Sequence, residues 1–355
     1  MPLVAHNSLP TFNVLRDRGQ VVLSLDRARE QDIRELHVGF LNMMPDAALA
    51  ATERQFIRLV GNSNPIAQFF VYPFSLPELN RGKKAEEHIR KHYFEFEQLA
   101  ILGLDALIIT GANVTDPSLT EEPFWDPLID IVRWAESNVA SVFCSCLATH
   151  ALVKHYYNID RRPLDRKQWG VYSHKVSNPQ HPLLRDVNTR FDAPHSRYND
   201  VSREQFESAG MHVLAESPNV GVHLAVSPDG FRVVCFQGHP EYAAISLLKE
   251  CKREVARYAA GDRDRAPRVP DNFFTADGEK IAAAHFEAVI TAKASGETPP
   301  KFPETELLAH IDNTWGDTGK AIVNNWLGLV YQLTNLDRRE QFMPGVDPND
   351  PLLHV

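Results

Sequence analysis

ASVFCSCLATHALV, residues 140–153, is the stretch that most constrains the fold of this chain. Its first half is rich in β-branched and aromatic residues, which is typical of a buried strand, and a helical pattern follows. Cys146 stands at the junction, with Cys144 two residues before it and Ala148 two residues after it. Small residues around a nucleophile are typical of the sharp strand-to-helix turn that projects its side chain above the carboxyl edge of a sheet. The stretch therefore predicts a strand, an elbow at Cys146 and a helix.

Similar apolar runs lie on both sides of this stretch and predict further buried strands. They are HVGFLN (37–42), AQFFVY (67–72), ALIIT (106–110), HVLAE (212–216), VHLAV (222–226) and FRVVCF (231–236). Between the earlier runs, apolar residues recur at helical spacing. Because strand and helix alternate through residue 160, we expect an α/β fold in which a mostly parallel sheet carries helices on both faces.

The second half of the chain is less regular. Pro163, Pro179, Pro182 and Pro194 interrupt residues 158–210, so we expect an irregular excursion there, of the length that usually serves a site. Helical patterns return at 245–260 and at 321–333. The polar, proline-containing residues 336–355 are expected to form a mobile tail after one domain over residues 1–335.

Composition excludes several classes of protein. The net charge of -9 over 355 residues, without a basic stripe, argues against nucleic-acid binding. Neither a cleavable leader nor a spanning run of apolar residues is present, so we expect a cytoplasmic location and no membrane partner. Four cysteines in a chain this long predict reduced thiols, and their spacing does not match a structural metal site, so no metal is expected.

A second motif follows the strand predicted at 231–236. FQGHPEY (236–242) would place His239 and Glu241 at the same sheet edge as Cys146. An imidazole can act as a base near neutral pH, and a carboxylate can orient it, as in a catalytic triad. Two plainer interpretations stay open at this point: Cys146 as an inert buried thiol, and the GHPE run as a turn with a capping carboxylate.

The two motifs together resemble those of the class I glutamine amidotransferase-like superfamily, and five further motifs narrow the resemblance. With GHPEY (238–242) they make six ordered motifs, the others being LNMMP (41–45), TGA (110–112), KQWGVYSH (167–174), PHSR (194–197) and NWLGLVYQ (325–332). Their order and spacing are similar to those of the homoserine O-succinyltransferase family over residues 1–335. The resemblance implies a flavodoxin-like, class I glutamine amidotransferase-like fold.

The resemblance also implies roles for residues. Cys146 matches the acyl-accepting nucleophile, His239 the general base and Glu241 the supporting carboxylate. Ser196 and Arg197 stand in the PHSR element near the nucleophile. The substrate positions are matched by Ser196, by Lys167 at the acyl site and by Arg253 at the amino-acid carboxylate. A guanidinium suits that last role because its planar fork of donors fits a carboxylate. Without the resemblance, Lys167 and Arg253 could equally be solvated surface charges.

The sequence departs from the family pattern at two places. Leu147 follows the nucleophile where a tryptophan is usual, and Asp46 or Ala47 stands where a lysine is usual. The backbone N–H of Leu147 can still donate to an oxyanion, because that donor does not depend on the side chain. We expect a second donor from the loop at 42–44.

The implied reaction is acyl transfer from an acyl-CoA to the hydroxyl of L-homoserine through a cysteine thioester, in methionine biosynthesis. Such a reaction uses CoA as a co-substrate and needs no cofactor, and the family suggests a homodimer. Serine as acceptor stays open, because it differs from homoserine by one methylene. Glutamine amidotransfer and a non-catalytic binding protein are the other interpretations of the same motifs.

Thr115 bears on the choice of acyl group. It matches a position where glutamate accompanies acetyl users and glycine accompanies succinyl users of the family. A carboxylate there would repel the free carboxylate of a succinyl chain, whereas threonine is neutral. We therefore expect succinyl-CoA to be preferred over acetyl-CoA, with a homoserine O-acetyltransferase as the alternative.

Overall fold

The computed structural model describes residues 3–63, 67–114 and 116–353. The strands are β1 Leu3–Ala5, β2 Val22–Ser24, β3 Glu35–Leu41, β4 Gln68–Phe74, β5 Ala106–Ile109, β6 Ser141–Ser145, β7 Arg162–Val176, β8 Arg190–Asp200, β9 His212–Ser217, β10 Gly221–Val226 and β11 Val233–Phe236. The helices are α1 Pro10–Asp17, α2 Leu25–Arg29, α3 Asp46–Ser63, α4 Lys83–His92, α5 Phe96–Leu102, α6 Trp125–Asn138, α7 Leu147–Tyr157, α8 Arg203–Ser208, α9 Ser246–Ala260, α10 Ala276–Ser295, α11 Glu304–Leu308 and α12 Gly316–Leu333. Two short 3-10 turns occupy Leu119–Glu121 and Pro182–Leu184.

In the described ranges the strands form one sheet in the order β2-β1-β4-β3-β5-β6-β11-β10-β9-β7-β8. Neighbours from β2 to β11 in this order run parallel, and the remaining pairs run antiparallel. The predicted α/β fold with a mostly parallel sheet is confirmed. In the register of these two strands, Cys144 lies opposite Cys235 and Ser145 lies opposite Phe236, so β6 and β11 end side by side. The two motifs that follow these strands therefore start from the same edge.

Alternation along the strands gives the sheet two apolar faces. Phe143 packs on one side with residues of α3 and α12, while Val142 and Cys144 pack on the other with residues of α6 and α7. A third cluster joins Trp169 of β7 to α9 and α10. Successive strand side chains point to opposite faces, so continuous apolar runs are required where helices cover both. Within the described ranges, no helix combines the length and apolar character needed to cross a membrane.

The expectation of an irregular excursion over residues 158–210 is wrong for most of that segment. β7 and β8 pair antiparallel over a long register and form the end of the sheet. Pro194 is tolerated inside β8 because this strand lies at the sheet edge, where a missing N–H costs little. Pro163 precedes a register shift in β7, and Pro182 opens a 3-10 turn. These three prolines therefore lie at an edge strand, at a register shift and at a 3-10 turn, and they do not make the segment irregular.

The same region explains one glycine of the KQWGVYSH motif. Gly170 has φ +152°, and a Cβ there would lie 2.1 Å from the carbonyl oxygen of Asp271. Val171 N–H donates to that same oxygen, and Asp271 N–H donates to the Trp169 carbonyl. Only glycine allows the segment around Asp271 to pack this closely against β7.

Two features at the carboxyl-terminal end differ from expectation. α10 was not predicted, because its many alanines weaken the apolar periodicity although Phe286 and Val289 are buried. The expected mobile tail contacts the body of the protein in its described part. Gln341 Nε2 donates to the carbonyls of Glu136 and Val139 at 2.9 and 2.7 Å. Three half-buried residues of the tail also pack against the core: Phe342, Val346 and Leu352.

Candidate active site

Cys146 occupies the elbow between β6 and α7. Its backbone angles, φ 55° and ψ -111°, are unusual for a residue with a side chain and cost about 1–3 kcal/mol. Two bonds to the end of β11 hold this conformation: Cys146 N–H and Thr149 Oγ1 donate to the Phe236 carbonyl at 2.8 and 2.9 Å. The thiol is partly exposed, whereas the other three cysteines are buried. The elbow predicted from small flanking residues is present.

His239 and Glu241 form a buried pair beside the elbow. His239 Nδ1 lies 2.8 Å from Glu241 Oε1, so Nδ1–H donates to the carboxylate. Burial disfavours the imidazolium, but the Glu241 carboxylate and the Cys146 thiol outweigh it and raise the pKa of His239 well above its usual value. In the described part of the chain, Nε2 makes no hydrogen bond of ordinary geometry. Because Glu241 occupies Nδ1, Nε2 is the nitrogen that can interact with the Cys146 thiol. Catalytic contacts of this kind commonly tighten only when substrate binds.

Three buried imidazoles lie behind Gly238. A Cβ at Gly238 would stand 2.6 Å from His223 Nδ1 and 2.9 Å from His195 Nε2, so only glycine fits before His239. His174 Nδ1 lies 2.8 Å from the Tyr172 carbonyl and must donate to it, which leaves its Nε2 as an acceptor.

The cluster of His174, His195 and His223 is the one group in the described ranges whose ligand atoms could surround a metal ion. Arg197 Nε donates to His195 Nδ1, so His195 Nε2 carries a proton and donates to His174 Nε2 at 3.1 Å. Burial lowers the pKa of all three imidazoles and keeps them neutral. The rings of His174 and His195 are already hydrogen-bonded to each other, and the Arg197 guanidinium lies next to them. A divalent metal ion is therefore disfavoured at this cluster.

Arg197 is part of this scaffold. Its Nη1 donates to Asp200 Oδ1 at 2.6 Å and to the Asn199 carbonyl at 2.8 Å, and its Nη2 donates to the Val220 carbonyl. The side chain is buried and does not line the pocket described below. Because these donors are used by the protein, Arg197 supports the scaffold around the site and has no free donor for a substrate.

Glu250 is a site residue that the sequence interpretation missed. Its Oε2 accepts from Ser196 Oγ at 2.7 Å and lies 3.3 Å from Lys167 Nζ, and its Oε1 accepts from Tyr242 at 2.5 Å. Burial favours the neutral acid, but Lys167, Tyr242 and Ser196 lower the pKa of the Glu250 carboxyl below its usual value. The Tyr242 ring in turn stacks on His239, with centroids 4.2 Å apart. Glu250 thus links two expected substrate residues to the catalytic base.

A cavity of about 230 Å³ opens beside these groups, between α3 and α9. Its lining includes His239, Glu241, Tyr242, Glu250 and Arg253. α9 begins at Ser246, so the segment after Glu241 is a turn and not one continuous helix, and Arg253 lies two turns into α9.

Lys167 and Arg253 differ in their surroundings. Lys167 is only 15% exposed and lies over the Trp169 ring at 4.8 Å, so the interpretation as a solvated surface charge is wrong for it. Arg253 is exposed at the cavity, and no carboxylate in the described ranges pairs with it.

Backbone donors at the elbow follow from helix geometry. Leu147 N–H is the first of α7 and has no intrahelical acceptor, so it is free to meet an oxyanion. The expected second donor in residues 42–44 is not available: Asn42 N–H donates to the Phe74 carbonyl, Met43 N–H to Thr110 Oγ1, and Met44 N–H to Asn42 Oδ1.

Gly111 lies close to the elbow. A Cβ built on it would lie 3.5 Å from Cys146 Cβ and 3.7 Å from the backbone nitrogen of Leu147. Thr115, expected to influence the acyl group, lies outside the described residues.

Comparison with known proteins places the chain in a family. A family model described as homoserine O-succinyltransferase matches residues 2–336. Homoserine O-succinyltransferases of Allochromatium vinosum and Methylococcus capsulatus are 60% and 56% identical over 352 residues, which is 99% of this chain and 99% of each relative. Solved structures of glutamine amidotransferases from Methylobacillus flagellatus and Thermotoga maritima cover 84% and 83% of the chain at 11% and 10% identity, with TM-scores of 0.46 and 0.44. They are themselves covered over 95% and 97% of their lengths. The chain belongs to the homoserine O-succinyltransferase family of enzymes.

Proposed function

We propose that this enzyme transfers a succinyl group from succinyl-CoA to the hydroxyl of L-homoserine through a thioester on Cys146, in methionine biosynthesis. The observation that carries the proposal is the elbow that presents Cys146 beside the buried His239–Glu241 pair. The names of the 56–60% identical relatives support the substrate and the acyl group.

In the first half-reaction, His239 Nε2 takes the proton of the Cys146 thiol, and the sulfur attacks the carbonyl carbon of succinyl-CoA. The negative charge then moves to the carbonyl oxygen, where the N–H groups of Leu147 and Gly111 can donate to it. When the tetrahedral intermediate collapses, the bond to the CoA sulfur breaks and His239 returns the proton to that leaving thiolate. The thioester on Cys146 replaces the thioester of CoA, so the step is nearly balanced in energy.

In the second half-reaction, His239 Nε2 takes the proton of the homoserine hydroxyl, whose oxygen attacks the acyl carbon on Cys146. The C–S bond breaks, the thiolate regains its proton from His239, and O-succinylhomoserine leaves. Glu241 stabilises the imidazolium that forms in both halves, since it already bonds Nδ1–H.

Binding of the acceptor uses Arg253. Its guanidinium is exposed at the cavity without a carboxylate partner, so it can take the α-carboxylate of homoserine. Glu250 is a positioning residue: it fixes Lys167 and Ser196 and, through Tyr242, the plane of His239. We further propose a cytoplasmic homodimer that needs CoA only as a co-substrate.

The proposal is tested with purified enzyme and a matrix of succinyl-CoA or acetyl-CoA against homoserine or serine. We expect the highest kcat/KM for succinyl-CoA with homoserine. Cys146→Ser should abolish transfer, and Cys144→Ser is the matched control because burial raises the pKa of the Cys144 thiol and makes it inert. A higher kcat/KM for acetyl-CoA, or equal losses in the two variants, would contradict the proposal.

A further inference from the structure

Besides Arg253, four cations line the active-site cavity and are called the cationic rim here: Arg18, Arg54, Arg58 and Lys249. Arg18 follows α1 directly, Arg54 and Arg58 lie one turn apart on α3, and Lys249 lies on α9. In the described part of the chain, none of the four has a carboxylate partner. Three separate elements thus bring unpaired positive charge to one concavity.

The arrangement is unfavourable for the protein alone. Burial and, after it, the nearby Arg18 lower the pKa of the Arg58 guanidinium, and the Glu241 carboxylate offsets this only in part. The two carboxylates in the cavity lining, Glu241 and Glu250, are already bonded to other protein groups. In a chain of net charge -9, clustered cations that pair with no carboxylate of the described residues indicate an anionic ligand.

We infer that the cationic rim binds the phosphate groups of the acyl-CoA donor. The inference rests on the proposed function. A CoA thioester carries its reactive carbonyl at one end of a flexible arm, and a diphosphate and a ribose phosphate at the other. The carbonyl must reach Cys146, near Gly111 and His239 in the cavity lining, while the rim meets the highly charged end.

The acceptor does not account for the rim. An amino acid offers one carboxylate, and Arg253 is sufficient for it. A multiply charged phosphate ligand instead matches several guanidinium and ammonium groups, because these donate strong charge-assisted hydrogen bonds to phosphate oxygens. The concave position of the rim, beside the catalytic pair, also favours a small ligand over a macromolecular surface.

The test compares two donors in one variant. Arg54→Gln/Lys249→Gln removes two rim charges and leaves Arg58, which donates to the Glu241 carbonyl, in place. The donors are succinyl-CoA and the succinyl thioester of N-acetylcysteamine, which lacks every phosphate. Arg133→Gln is the control, because Arg133 is an exposed cation on α6 away from the cavity.

We expect KM for succinyl-CoA to rise roughly three- to tenfold in the double variant, as for two partly solvated charge pairs, with homoserine KM unchanged. kcat/KM for the phosphate-free donor should change less than about twofold, and Arg133→Gln should change neither. Equal losses with both donors, or no change with succinyl-CoA, would overturn the inference while the proposed function stands. If the wild-type enzyme transfers succinyl from neither donor, the proposed function fails and the inference fails with it.

Discussion

Glu250→Gln is the substitution that tests the coupling between the substrate residues and the catalytic base. Glutamine keeps the shape of the side chain but removes the charge that Lys167, Ser196 and Tyr242 share. Lys167 Nζ, 3.3 Å away and mostly buried, then loses its counter-charge. Breaking a fully buried pair costs about 3–5 kcal/mol, and the partial exposure of Lys167 reduces this to about 2–3 kcal/mol of unfolding free energy.

The Glu250→Gln substitution also weakens the hydrogen bond that orients Tyr242 against the His239 ring. The bond from Tyr242 to Glu250 is charge-assisted in the wild type and neutral in the variant, a difference of about 1–1.5 kcal/mol. Because Tyr242 stacks on His239, we expect kcat/KM to fall about tenfold.

The assays are urea unfolding and steady-state kinetics, with Glu254→Gln as the matched control. Glu254 lies one turn further along α9, is similarly buried and pairs with Arg263, but it does not line the cavity. The control should lose stability and keep kcat/KM within about twofold. Equal catalytic losses in both variants would refute the coupling through Tyr242.

The pH dependence gives a second readout of the same pair. The pKa of Glu250 lies below its usual value of 4.5 in the folded protein, so its charge stabilises the fold at neutral pH. This contribution is lost as the pH falls from 4.5 through the lowered folded value. The stability difference between wild type and Glu250→Gln should therefore be constant above pH 5.5 or so and shrink in acid. A difference that grows in acid would contradict this assignment.

Three other predictions concern the neighbourhood of the base and the acyl group. Gly238→Ala should lower the free energy of unfolding by about 1–3 kcal/mol, because the new Cβ overpacks against His223 and His195. In a double-mutant cycle measured by urea unfolding, His223→Ala should destabilise the Gly238→Ala variant less than it destabilises the wild type. Strictly additive losses would contradict this prediction. Glu241→Gln should lower the pKa of His239 and slow alkylation of the nucleophile by iodoacetamide about tenfold at pH 7, because a weaker base leaves less of the Cys146 thiol as thiolate. An unchanged rate would exclude a role of Glu241 in activating the nucleophile through His239. Thr115→Glu should shift kcat/KM from succinyl-CoA toward acetyl-CoA, and an unchanged donor ratio would remove this position from acyl selection.

The features of the site whose positions were predicted correctly depend on patterns within short stretches of sequence. The elbow at Cys146 follows from a buried strand, small flanking residues and a helical pattern within fourteen consecutive residues, 140–153. Cys146 directly follows β6, and His239 lies three residues after the end of β11. Because these strands run parallel, both residues share one edge as soon as the strands pair. Short-range patterns and one topological rule are enough to bring them together.

The parts that were missed depend on distant segments. Glu250 gains its role only because β7, β8 and the turn after β11 bring Lys167, Ser196 and Tyr242 to it. The available signal in the sequence was that Glu250 lies next to the apolar face of the helix predicted at 245–260, where a carboxylate needs a partner. The scaffold role of Arg197 was missed for a similar reason, since its partners include two backbone carbonyls that no sequence pattern reveals.

Prolines and occupied amides account for two further errors. Pro194 suggested an irregular chain at a place where an edge strand tolerates it. The loop at 42–44 was expected to supply an oxyanion donor, but Thr110 and Asn42 already accept from its N–H groups. Both depend on which hydrogen bonds the folded chain makes, and a linear pattern does not specify them.

Intact-mass analysis of the acyl-enzyme tests the central claim most directly. The purified enzyme is mixed with succinyl-CoA without acceptor, and the modified peptide is then mapped. The account predicts a mass increase of one succinyl group on Cys146, which disappears when homoserine is added as O-succinylhomoserine forms. An unmodified enzyme, a label on Cys144, Cys235 or Cys251, or a label that homoserine does not discharge would contradict it.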